Sequence, residues 1–144
     1  MTQVADVMTR GVRTLSPQDS MMLAAKAMEE LDVGAVPVCD GEQLLGMVTD
    51  RDITVRGVAH GKPADSTPLS EVMSQGVRWC FEDDSVDKVI DEMRDAKIRR
   101  VPVVDRDKHL VGILSLGDLA AKADIVDAGE TLANISEPAK PERR

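Results

Sequence analysis

Aromatic side chains are almost missing from this 144-residue chain: it has one Trp, one Phe and no Tyr. Proteins that hold single-stranded nucleic acid stack its bases on several such rings, so that class is disfavoured. Basic charge is also short, with 18 Lys and Arg against 26 Asp and Glu and a formal net charge of -8. A phosphate backbone would be repelled on average, and no Lys/Arg stripe reverses the sign locally, so no nucleic-acid partner is expected. No apolar run approaches the ~18 residues that cross a bilayer. The opening "MTQVADVMTRG" lacks the basic start and apolar stretch of a secretory signal. No membrane partner and a cytoplasmic location are therefore expected. Cys39 and Cys80 are too few for a disulfide framework or a four-ligand zinc site, and His60 and His109 are not spaced to join them. Each Cys lies in an apolar, strand-like run and reads as a small buried hydrophobe, with a redox-sensitive thiol as the alternative. Catalytic signatures are absent as well: there is no G-x-S-x-G, H-E-x-x-H, G-x-x-x-x-G-K-[ST] or G-x-G-x-x-G. Neither an enzyme nor a metal site is expected.

What the chain does contain is one pattern written twice. "GMVTDRDI" at 46–53 is matched by "GILSLGDL" at 112–119: Gly, two apolar residues, a hydroxyl residue, two variable residues, Asp, and an apolar residue. The likeness extends outward. "DVMTRGVRTL" (6–15) aligns with "EVMSQGVRWC" (71–80), and "DSMMLAAKAMEELDVGAVPVCD" (19–40) with "DSVDKVIDEMRDAKIRRVPVVD" (84–105). The copies are offset by about 65 residues, longer than an ordinary solenoid period, and two copies make a symmetric pair.

Each copy reads strand, helix, strand, strand, helix. Short strands are expected at 12–15 and 77–81, followed by helices capped by Ser20 and Ser85. Apolar residues recur at helical spacing after both caps, and Gly34 is a candidate end of the first helix. "AVPVC" with "LLGMV", and "RVPVV" with "LVGIL", read as hairpins. A second helix starts at each motif hydroxyl, Thr49 or Ser115. The stretch "RGVAHGKPADSTP" (56–68) reads as a connector. The expected organisation is a first repeat with its connector over 1–65, a second repeat over 66–123, and a C-terminal helical extension with a loose tail over 124–144.

Two chemistries fit the motif. Hydroxyl-x-x-acid is close to a capping box, in which the hydroxyl and the acid satisfy the first N–H groups of a helix. The same helix start could instead receive a phosphate at its N–H groups and hydroxyl, with the Asp accepting from both hydroxyls of a ribose. Pro37 and Pro102 confine their strands to an edge or bulge, where backbone near "AVP" and "RVP" could meet an adenine. Arg99 and Arg100 precede "VPV" in the second copy and could neutralise phosphate; Gly34 and Ala35 stand there in the first. The two sites are thus not equivalent.

Taken together, "DVM" and "EVM", "VPVCD" and "VPVVD", and the doubled motif resemble a CBS domain pair (the cystathionine-β-synthase type of domain), the arrangement called a Bateman module. The resemblance covers about residues 4–122. It implies an α/β (α+β) fold of two βαββα repeats packed with pseudo-two-fold symmetry, and clefts that bind adenosyl ligands such as AMP, ADP, ATP or NAD. Thr49 and Ser115 would meet phosphate, and Asp52 and Asp118 would meet ribose. Backbone at Thr14–Ser16, Cys80–Glu82, Ala35–Val36–Pro37 and Arg100–Val101–Pro102 would flank the base. Adenine would rest on aliphatic residues such as Val12, Val77, Met47 and Ile113. The family implies a stand-alone, non-catalytic, energy-sensing regulator with no required cofactor, a tendency to form homodimers, and a protein partner that the sequence does not identify. The competing expectation is a ligand-free dimerisation or protein-interaction module, with a redox response through Cys39 and Cys80 as one form of it, whose motif Asp residues are only helix caps.

Overall fold

The computed structural model describes residues 2–117, so Asp118 and the extension expected over 124–144 lie outside the described residues. The architecture is mixed α/β, with two small three-stranded sheets and helices. A short helix α1 (Val4–Val7) is followed by α2 (Met21–Leu31), β1 (Ala35–Asp40), β2 (Gln43–Thr49) and α3 (Asp50–Asp52). The chain then runs through a π-helical turn (Ile53–Gly57) and two 3-10 turns (Val58–His60 and Leu69–Glu71) to β3 (Ser74–Gln75) and β4 (Cys80–Phe81). It continues with α4 (Val86–Ala96), β5 (Arg100–Val104) and β6 (Leu110–Ser115). The sheet orders are β1-β2-β3 and β4-β5-β6.

Both helix starts follow from their caps. Ser20 accepts from the Leu23 N–H, and Ser85 accepts from the Lys88 N–H. The end of α2 differs from expectation. Asp32 rather than Gly34 takes the left-handed cap, at φ 54°, and its N–H reaches the Glu29 and Met28 carbonyls. Asp tolerates this conformation better than most side chains. Gly34 instead opens β1, where its carbonyl accepts from the Asp50 N–H at 2.9 Å. The strand expected at 12–15 contracts to one parallel bridge, Leu15 to Val38. The connector expected from 56 is helical to His60, and Gly61 at φ 69° then turns the chain out.

The described chain forms two compact units that cut across the two sequence copies. Among the described residues, one contains 12–78 with 107–110; the other contains 2–11, 79–106 and 111–117. Consequently the segment that opens each copy packs in the unit of the other copy. Val72 and Met73 of "EVM" join Leu15, Met21, Ala24, Met28, Val36, Val38, Val48 and Leu69 in one apolar core. Val7 and Met8 of "DVM" join Cys80, Val89, Ile90, Met93, Val103 and Leu114 in the other. The exchanged segments also extend the sheets in matching ways: Ser74 lies opposite Met47 on β2, and Thr9 bridges Ile113 on β6.

Both cysteines are buried and free. Burial pushes the Cys80 thiol up to about 12, helped by the Asp84 and Glu92 carboxylates and opposed by Lys88; burial also raises Cys39. A raised folded-state value favours the neutral thiol, so this contribution to stability is complete below pH ~9 and fades as the pH climbs toward 12. Iodoacetamide at pH 8 is accordingly expected to label Cys80 at least ~100-fold more slowly in the native protein than in urea, as followed by mass spectrometry. Equal rates would reinstate the redox-sensitive alternative.

Candidate functional site

The first-copy motif lies where β2 ends. Thr49 is extended (φ -117°, ψ 162°) and caps α3. Its hydroxyl accepts from the Asp52 N–H at 3.0 Å, while the Asp52 Oδ2 accepts from the Thr49 N–H at 3.0 Å. This is a complete capping box. Shortness of the Asp side chain does not prevent the return bond. Other N–H groups at this helix start also have local acceptors: Asp50 N–H donates to the Gly34 carbonyl and Arg51 N–H to the Asp50 Oδ1. The N–H groups of Asp50, Arg51 and Asp52 thus have acceptors within the protein, while the Thr49 hydroxyl, which accepts from Asp52, still carries a proton to donate.

Asp52 is 8% exposed, and a buried carboxylate requires partners. Besides the cap, it accepts from the Ser74 hydroxyl, whose Oγ lies 3.2 Å from Oδ1 and 3.3 Å from Oδ2. The Arg56 Nε is 4.0 Å from Oδ1. The Arg56 guanidinium also donates to the Met73 carbonyl at 3.2 Å. Ser74 was not among the residues expected from sequence. Its signal was present, because "EVMS" aligns with "DVMT", but only the fold carries that segment to the other copy's motif.

The remaining first-copy residues gather around the same corner. Ala35 lies directly opposite Thr49 in the β1–β2 ladder. Leu15 N–H donates to the Pro37 carbonyl at 3.0 Å, and Cys39 N–H donates to the Leu15 carbonyl at 2.8 Å. These bonds set Thr14–Ser16 along the outer edge of β1, alongside Pro37, Val38 and Cys39. Pro37 has no N–H, and the outer pairing starts at its carbonyl, as a sheet-edge proline allows. Thr14 is exposed and Ser16 half-buried, its hydroxyl donating to the Gln18 side chain at 2.7 Å.

The second-copy residues have a parallel arrangement in their own unit. Cys80 and Phe81 pair in parallel with Val103 and Val104, and Leu116 N–H donates to the Arg99 carbonyl at 3.1 Å. That bond places the Ser115 end of β6 beside the start of β5, which carries Arg100, Val101 and Pro102. Arg99 and Arg100 are exposed, whereas Val101 and Pro102 are buried. Aliphatic contact alone does not describe this copy. Trp79 and Phe81 occupy the positions that Thr14 and Ser16 hold in the first, and their rings meet edge to face at 5.0 Å. The Arg106 guanidinium sits 4.0 Å from the Phe81 centroid and pairs with the Asp83 carboxylate at 2.7 and 3.1 Å. Aligning "VRTLS" with "VRWCF" was enough to find this aromatic pair.

A family model described as the CBS domain matches residues 4–56 and 69–124. The chain is 42% identical over 137 residues to the CBS domain-containing protein YhcV of Bacillus subtilis (strain 168), a match spanning 94% of this chain and 96% of that one. Two solved structures share the fold. The CBS domain pair of protein MJ0100, in complex with 5′-methylthioadenosine and S-adenosyl-L-methionine, is 30% identical with a TM-score of 0.72, over 84% of this chain and 94% of that one. CBSX2 in complex with AMP is 25% identical with a TM-score of 0.74, over 84% of this chain and 95% of that one. No helix among the described residues is long and apolar enough to cross a membrane.

Proposed function

The chain belongs to the CBS domain family, and on that premise we propose that it is a non-catalytic regulatory module that takes an adenosyl ligand. AMP is the first candidate, with ADP, ATP and NAD as the others. What carries the reading is the gathering of Thr14–Ser16, Ala35–Pro37, Thr49 and Asp52 at one corner of a fold whose relatives hold AMP, 5′-methylthioadenosine and S-adenosyl-L-methionine. In this proposal Asp52 and Asp118 accept from ribose hydroxyls, Thr49 and Ser115 face phosphate, and Arg99 and Arg100 make the second-copy site the better one for phosphate. Nucleotide binding would shift the population of states that a partner protein reads. Self-association into a homodimer belongs to the same proposal: α2 leaves Met22, Leu23 and Leu31 exposed, where the aligned α4 positions are Asp87, Lys88 and Ala96.

A screen of AMP, ADP, ATP, NAD and S-adenosylmethionine by thermal shift tests the reading. A ligand at a hundred times its dissociation constant adds about 2.7 kcal/mol to the state that binds it. For a chain of this size that is a Tm rise of about 5–10 °C. If none of the five raises Tm, the second reading prevails: a ligand-free interaction module whose motif Asp residues are caps. The capping box at Thr49 and Asp52 is the observation that favours that alternative.

A further inference from the structure

In the proposed reading a ribose would meet Asp52, yet the carboxylate edge it would use already has an occupant. A carboxylate offers about four acceptor positions. At Oδ2, the Thr49 N–H and the Ser74 hydroxyl are both within bonding distance. At Oδ1, the same Ser74 hydroxyl lies at 3.2 Å and Arg56 at 4.0 Å. A vicinal diol donates one hydroxyl to each oxygen, so it needs the edge that Ser74 spans. The Thr49 N–H cannot yield, because the turn that forms α3 fixes it. Arg56 is long and its side chain 54% exposed, so it can swing away.

We infer that Ser74 sets how tightly the first-copy site takes a ribose: its hydroxyl stands in for a sugar hydroxyl on Asp52 and rotates away when the diol binds. The inference rests on the nucleotide reading above. Ser74 can yield only by side-chain rotation. Its backbone is paired in β3 opposite Met47, its carbonyl lies close against Gly46, and the carbonyl of buried Met73 beside it accepts from Arg56. Rotation about one staggered torsion frees the carboxylate without moving the strand. Ser74 is thus a positioning residue that competes with ligand and makes the site selective for an intact diol.

Calorimetric titration of the full chain with AMP tests this, with the binding component that Asp52→Asn removes taken as the first-copy site. Ser74→Ala deletes the competitor and is expected to tighten that component about fivefold, within the range of one charge-assisted hydrogen bond. Ser74→Thr, whose branched side chain rotates less freely, is expected to weaken it about twofold or more. With 2′-deoxyadenosine 5′-monophosphate, which lacks the diol, the Ser74→Ala gain is expected to fall below about twofold. A purely structural role would change both nucleotides alike. Unchanged or weaker AMP binding in Ser74→Ala overturns the role of Ser74 while leaving the nucleotide reading in place. If the wild type has no Asp52-dependent component, the nucleotide reading of this site fails and the Ser74 inference fails with it.

Discussion

Gly46→Ala is expected to lower the unfolding free energy by about 3 kcal/mol or more, at the upper end of what overpacking costs. A Cβ at Gly46 would press on the Ser74 carbonyl oxygen, well inside contact distance, and come within 2.9 Å of the Met73 side chain. The carbonyl cannot move aside, because Ser74 and Gln75 are paired to β2 and Val72 and Met73 are anchored in the core. Relief would require β3 to detach. The second copy repeats the arrangement: a Cβ on Gly112 would lie 2.6 Å from the Thr9 carbonyl oxygen and 2.9 Å from the Met8 sulfur. This gives the glycine that opens each motif a physical meaning, since it lets the exchanged segment approach backbone to backbone. Gly41→Ala is the control. Nothing lies within 4 Å of that Cβ, and the left-handed φ of 61° alone should cost about 1 kcal/mol. Urea denaturation followed by circular dichroism measures both variants against the wild type, and a Gly46→Ala variant no less stable than Gly41→Ala would refute the account.

Asp52→Asn and Asp118→Asn are expected to reduce the ligand-induced rise in Tm, with the larger loss in Asp118→Asn. The amide matches the carboxylate in shape and retains one oxygen, so the Thr49 N–H still has an acceptor and the cap is weakened rather than removed. Loss of the charge-assisted bonds should cost about 1 kcal/mol of stability at Asp52. The effect on ligand is larger. A ribose diol needs two acceptors, the amide supplies one, and its NH2 group faces the sugar with a donor. The affinity of the altered site is expected to fall at least tenfold, about 1.4 kcal/mol. Asp118 shares its copy with Arg99 and Arg100, so losing that site removes more phosphate binding than losing its first-copy counterpart. Thermal shift with AMP on both variants measures the effect. Wild-type shifts in both would leave the carboxylates as caps alone and reject the proposed ribose contacts.

Much of the local structure was legible because it depends on neighbours in sequence. Ser20 and Ser85 cap their helices through bonds to residues three positions on, and the hairpin of β1 and β2 needs only a polar turn between two apolar runs. The Thr49–Asp52 box was legible for the same reason, as one of two chemistries that the motif allows. Expectation slipped where a weak local preference met a packed neighbour. The stretch from Arg56 looked like connector, yet the chain winds on to His60, with Gly57 tight against Met21. The end of α2 moved to Asp32 because Gly34 is engaged with Asp50 across the strand entrance.

Sequence alone determined the duplication, the family and the residue types at each motif, since these are properties of order along the chain. Tertiary structure decided which copy completes which site. The turn at 71–75 brings Ser74 onto Asp52, a partner twenty-two residues away, and the start of the chain supplies Val7 and Met8 to the core of the second copy. No periodicity encodes such an exchange. It follows from the packing: the first sheet takes its third strand, β3, from the second copy, the second sheet gains a bridge from Thr9, and each core is covered by apolar residues from its sister's opening segment.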